Sequence, residues 1–202
     1  MTQQQFRQEA EPAFSRVFQS RDPFDEPIAP VMPDRAILYY VSYTLKSTEL
    51  KALSAAARAV GDDALYISVT ERLEDDPRKK PGQWHWFVPL DDIDSYHALG
   101  IPALENAMYS STGQWGLIIS HEKHAVVAGP RLFLDTVFAN LPESEDAQLT
   151  NFLANWNDIH ARHTEKHNAD WLSGFKEWFP RLLAHVYGER KAQGLLAQAG
   201  LP

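Results

Sequence analysis

The chain has 202 residues, is 44% hydrophobic, carries a formal net charge of −8 and contains no cysteine. The lack of cysteine excludes disulfides, thiolate zinc sites, iron–sulfur clusters and a cysteine nucleophile. The acidity argues against nucleic-acid binding, which needs basic residues to replace phosphate counterions.

Residues 3–20 have Phe6, Ala10, Phe14, Val17 and Phe18 at helical spacing, which predicts a helix. A connector follows, RDPFDEPIAPVMPD, whose prolines cannot continue a helix. AILYYVSYTL, from Ala36, is rich in β-branched and aromatic residues and predicts a buried strand. Ser47 or Thr48 is placed to cap a helix through the alanines to Val60, with Gly61 ending it. ALYISVTERL predicts a second strand and LEDDPRKKPG a charged loop. QWHWFVPL predicts a third strand. It puts Trp84 and Trp86 on one face and His85 and Phe87 on the other, and apolar faces on both sides suggest a central position. DDIDSYHALGIPALENAMYS reads as short helical turns broken at Gly100 and Pro102. GQWGLIIS and HAVVAG predict two further strands. Glu122-Lys123 is a poor two-residue turn, so a longer turn holding one of His121 and His124 is expected. Gly116 suggests a bulge or a close backbone approach. Pro130 opens a helix over RLFLDTVFANL. After Pro142 the pattern is helical to the end, in three segments broken near Asn168 and Pro180.

Hairpin-length loops favour antiparallel pairing, and helices grouped late in the chain favour α+β. The expectation is one α+β domain over 1–202, with helices on one face of a mainly antiparallel sheet of about five strands. It divides into an N-terminal helix and connector (1–34), a sheet core (35–141) and a helical C-terminal third (142–202).

WNDIHARHTEKHNADW places His160, His163 and His167 at spacings of three and four. At about 100° per residue they continue the apolar stripe of Leu149, Phe152, Leu153 and Trp156. Inward histidines need hydrogen-bond partners, a metal or a solvent-filled cleft. His160 and His167 lie about 10 Å apart along an ideal helix axis, too far to share one ion. His163 with His167, or His160 with His163, could hold zinc or another divalent transition metal, with Asp170 as ligand or support. The glutamate that follows the first histidine in HExxH is replaced by Thr164. Packing is the favoured reading, with the rings satisfied at a core edge or between helices, and a proton-responsive or partner-contact face is a third.

Trp171, Phe175, Trp178 and Phe179 form a second aromatic stripe, suited to packing among the last helices. The stretch Tyr109–Gly116 lacks the spacing of a P-loop and of a nucleophile elbow. Between Gly61 and Asp94 nine acids and four bases supply −5 of the net charge of −8. An acidic surface steers association with cationic partners.

These features favour a non-catalytic acidic domain with no cofactor that binds a basic protein, by analogy an immunity-type toxin-neutralising role. Glu74, Asp75 and Asp76 are expected at the interface. The alternative is a metal-dependent hydrolase built on His160, His163, His167 and Asp170. A homo-oligomer would be a third outcome, burying the aromatic stripe. The polar N-terminus and the absence of a long apolar run predict a cytoplasmic protein without a membrane span.

Overall fold

The computed structural model describes residues 1–39, 41–71 and 83–201. Among the described residues the elements, in chain order, begin with a short helix α1 (Gln3–Gln5), a π-helical turn (Phe6–Ala10) and α2 (Glu11–Val17). Then come β1 (Asp34–Tyr39), α3 (Ser47–Ala59), β2 (Ala64–Val69), β3 (His85–Pro89) and a 3-10 segment (Leu90–Ala98). The sheet is completed by β4 (Asn106–Ser110), β5 (Gly116–Ile119) and β6 (His124–Gly129). The chain continues through α4 (Arg131–Ala139), α5 (Glu145–Glu165), α6 (Ala169–Tyr187) and α7 (Glu189–Ala199).

The strands form one antiparallel sheet in the order β1-β6-β5-β4-β2-β3. The class is α+β, with six strands where about five were expected. The added strand is β4, fully buried, in a stretch expected to be helical turns. Its five residues are too few for periodicity to separate strand from turn.

Helices cover both faces, not one. Because side chains alternate along a strand, Ile37, Tyr109, Ile118 and Val126 face a first core with Phe6, Phe14, Val17, Phe152, Phe175 and Phe179. Leu38, Ile67, Trp86, Met108, Leu117 and Val127 face a second core with Leu53, Phe133 and Val137. The N-terminal helices and the C-terminal third therefore pack on one face, and α3 and α4 on the other. Gly116 is the close approach between α2 and the sheet: a Cβ there would meet Val17 Cγ1 and lie 2.6 Å from Phe18 Cζ.

β3 is an edge strand, not a central one. The bond from Val69 N–H to Trp84 O turns position 84 toward β2. The backbone N–H and C=O groups of 85, 87 and 89 therefore point away from β2, and Pro89, with no N–H, suits that edge. An edge strand can still be covered on both faces: Trp86 is buried in the second core and Phe6 stacks on His85, while Phe87 is 49% exposed. The opposite edge, β1, is closed by side chains. Ile37 N–H donates to Tyr187 Oη at 3.2 Å and Tyr39 N–H to Gln148 Oε1 at 2.8 Å.

Pro180 lies inside α6, where a break was expected. Phe175, Phe179, Leu182, Leu183 and Val186 are all buried, and this packing carries the helix past the missing donor. The break comes at Gly188, with φ +79. Helix α3 begins at Ser47, and its entry is held by Lys46 N–H donating to Glu49 Oε2 at 2.7 Å, not by a Ser47 or Thr48 hydroxyl. No helix among the described residues is long and apolar enough to cross a membrane.

Candidate functional site

The histidine helix comes first. Helix α5 stops at Glu165, so His167 is not on it. Asn168 N–H donates to His163 O at 3.1 Å and His167 N–H to Thr164 O at 3.0 Å, with His167 at φ +51. That is a Schellman ending, with histidine in the left-handed position usually held by glycine or asparagine. The ring of His163 lies flat on Trp171, with centroids 3.9 Å apart and planes at 13°. Its Nδ1 is 3.1 Å from Asn168 Nδ2. His160 packs on Phe175, at 5.3 Å between centroids. His167 and Asp170 are exposed. Among the described residues no group of three or more His, Asp or Glu side chains is placed to hold a metal ion. The stripe is inward at His160 and His163 and serves the aromatic packing of Trp156, Trp171, Phe175 and Trp178.

Two buried serine–histidine contacts also occur. Ser68 Oγ lies 2.9 Å from His85 Nδ1 and 2.9 Å from Tyr109 Oη. Phe6 stacks over His85 at 3.7 Å and seals this network beneath the N-terminal helices. Ser120 Oγ lies 2.9 Å from His124 Nδ1, and both residues are buried. Neither pair offers a substrate an approach.

The accessible concentration of polar groups is at one end of the sheet, where β2 and β5 finish and β4 and β6 begin. Thr70 N–H donates to Glu105 O at 2.9 Å, joining the ends of β2 and β4. The β5–β6 turn has His121 in it and His124 at the start of β6, with Lys123 at φ +59. This is the longer turn that the poor Glu-Lys pair implied. Glu105 is 8% exposed, and its Oε1 lies 2.6 Å from His121 Nδ1 and accepts His121 N–H at 3.2 Å.

The proline-rich connector forms the facing wall. Asp22 Oδ1 accepts Phe24 N–H at 2.8 Å, a local turn of the kind aspartate favours. Phe24 then lies against His121, His124 and Trp178 with centroids 5.1, 5.5 and 5.0 Å away. Arg181 donates to Asp25 at 2.6 Å and ties the connector to α6. Between the walls is a cleft of about 380 Å³, lined by Arg21, Asp22, Phe24, Thr70, Glu71, Glu105 and His121.

Burial raises the pKa of the nearby Tyr43 phenol, and the charges of Glu71, Glu105 and Glu122 raise it further. Beneath the cleft His124 is pushed down to about 4 by burial. Thr70 is 7% exposed, and its hydroxyl oxygen has no hydrogen-bond partner among the described residues.

The acidic stretch from Gly61 to Asp94 is divided in space. Glu71 lies at the cleft. Asp62 and Asp63 precede β2, and Asp91, Asp92 and Asp94 follow β3, so these five lie at the other end of the sheet. Asp62 is internal: it accepts from Trp115 Nε1 at 2.6 Å and from Thr112 Oγ1 at 2.9 Å. Asp91 pairs with Arg58 at 2.7 Å. Glu74, Asp75 and Asp76 lie outside the described residues.

His121, His124 and Glu71 stand out in the sequence, whereas Asp22, Phe24, Thr70 and Glu105 carry no local signal. Their meeting depends on β4 lying beside β2, which no local pattern encodes. No protein-family model, curated protein or solved structure matches the chain.

Proposed function

We propose that this is a non-catalytic, cytoplasmic domain that binds a basic protein partner through the acidic cleft at the sheet end. The carrying observation is the cleft's composition: the carboxylates of Asp22, Glu71 and Glu105 beside one guanidinium, Arg21. Glu74, Asp75 and Asp76 follow Glu71 in the sequence, in a stretch that also carries Arg72, Arg78, Lys79 and Lys80. The field of the cleft's carboxylates favours encounter with a cationic surface and sets specificity by charge. The sealed serine–histidine contacts and the packed histidine helix support binding over catalysis. Within binding proteins, a toxin-neutralising role of the immunity type suits a small, acidic, cysteine-free domain; that step is analogy at the level of class.

Selection of a random displayed peptide library on the immobilised protein tests this reading. Enriched peptides should be rich in arginine and lysine, and their binding should weaken as salt rises. The combined charge reversal Glu71→Lys, Glu74→Lys, Asp75→Lys and Asp76→Lys should abolish it. Enriched peptides lacking basic residues, or binding indifferent to the reversal, would overturn the proposal.

A further inference from the structure

We infer that the cleft is a receptor for a single arginine side chain of that basic partner, with the guanidinium held by Glu71, Glu105 and the Thr70 hydroxyl. This rests on the protein-binding reading and makes it specific.

Charge comes first. The lining sets three carboxylates, Asp22, Glu71 and Glu105, against one guanidinium, Arg21. Arg21 lines the cleft with its guanidinium carbon over the Phe14 ring, 5.7 Å from the centroid. Glu105 is the fixed carboxylate. Its Oε1 is engaged by His121 through the ring at 2.6 Å and the backbone at 3.2 Å, which sets the group's orientation. Glu71 stands beside it, with Oε2 at 3.4 Å from Glu105 N.

The second observation is independent of charge. Buried hydroxyls are nearly always hydrogen-bonded, because an unmade bond costs about 1–3 kcal/mol. Thr70 is 7% exposed, lines the cleft, and its Oγ1 lacks a partner among the described residues. A donor entering the cleft would supply that bond. An incoming guanidinium carries five N–H donors in a planar fork, so it could serve two carboxylates and one hydroxyl together.

The third observation concerns the wall. The Phe24 ring is wedged by His121 at 5.1 Å and Trp178 at 5.0 Å. An aromatic wall beside carboxylates favours arginine over lysine, because the weakly hydrated guanidinium stacks on rings and the ammonium is a compact, strongly hydrated charge.

The test is a titration of the ¹⁵N-labelled full chain with Nα-acetyl-argininamide and, separately, with Nα-acetyl-lysinamide, followed by amide chemical shifts. The arginine compound should produce saturable shifts centred on Thr70, Glu71, Glu105 and His121. The lysine compound should bind several-fold more weakly. Thr70→Val and Glu105→Gln, both close in shape to the original residues, should each weaken binding about tenfold. Shifts elsewhere in each variant's spectrum should match the unaltered protein and so report an intact fold. Absence of saturation, shifts centred elsewhere, or unchanged binding in both variants would overturn the receptor, and equal binding of the lysine compound would overturn the guanidinium assignment. Argininamide saturating the cleft while peptide selection yields nothing would leave the receptor standing and remove the protein-binding reading. Charge-sensitive basic peptides with unmoved cleft amides would do the reverse.

Discussion

His121 and Glu105 are sixteen residues apart, yet His121 Nδ1 lies 2.6 Å from Glu105 Oε1, and the same oxygen accepts the His121 backbone N–H at 3.2 Å. One carboxylate thus holds the β5–β6 turn to the start of β4 and fixes a wall of the cleft. Glu105→Ala should lower stability by about 1 kcal/mol, a modest value because the His121 ring is half exposed to water. Glu105→Gln, which keeps an acceptor, should cost less. Urea unfolding of the two variants and hydrogen exchange at the His121 amide check this. Equal stability, with no faster exchange in the alanine variant, would count against the turn-holding role.

Stability should fall with acid between pH 6.5 and 4. Burial lowers the pKa of His124 from 6.5 to about 4, and burial followed by the charge of Arg35 lowers His185 to about 4. Both rings are held neutral in the folded chain, so the unfolded chain binds more protons in that window. The stability is complete above the unfolded pKa and is lost as pH drops through the folded one. His124 alone should account for about 3 kcal/mol, using the usual energy of a pKa unit. Unfolding free energies across this pH range should flatten in His124→Gln. An unchanged slope would contradict the burial argument.

Two glycines should respond to alanine with opposite signs. At Gly116 a Cβ would collide with Val17 and Phe18, so Gly116→Ala should destabilise by about 1–3 kcal/mol or more through overpacking. At Gly174, exposed within α6, a Cβ meets nothing within 4 Å. Gly174→Ala should therefore stabilise by about 0.5–1 kcal/mol through helix propensity. Thermal unfolding of both variants reads the signs directly.

The capped β1 edge makes a further prediction. Tyr187→Phe leaves the Ile37 N–H without its acceptor, and Gln148→Ala does the same at Tyr39. Each should cost about 1–3 kcal/mol, as expected for a buried donor left unmade. Faster exchange at the matching amide, and not at the other, would separate the two caps.

The histidine stripe should behave as packing. His163→Ala removes a ring stacked on Trp171 and should cost about 1 kcal/mol. Added zinc or manganese should leave the unfolding temperature unchanged. Near-stoichiometric metal uptake that His163→Ala abolishes would restore the metal reading.

The legible parts of the molecule were those with long patterns. Strand β6, the helices over Arg131–Ala139 and Glu145–Glu165, and the alternation at Trp84–Phe87 follow from periodicity. What escaped had non-local causes. β4 is only five residues long, and its identity comes from β2 and β5 on either side. Pro180 signalled a break that core packing of α6 overrode. The wheel that aligned three histidines assumed a helix extending to His167, but the chain turns at Lys166. The cleft was hardest to see, because Asp22, Thr70, Glu105 and His121 come from four separate segments that only the sheet order brings together.

The most direct test of the cleft as the binding surface is amide chemical-shift mapping of a selected basic peptide on the full chain. Perturbations should centre on residues 21–24, Thr70, Glu71, Glu105 and His121 and need about tenfold more peptide in Glu105→Gln. Perturbations centred elsewhere, such as the α5–α7 groove lined by Leu149, Leu153 and Leu195, would contradict the account.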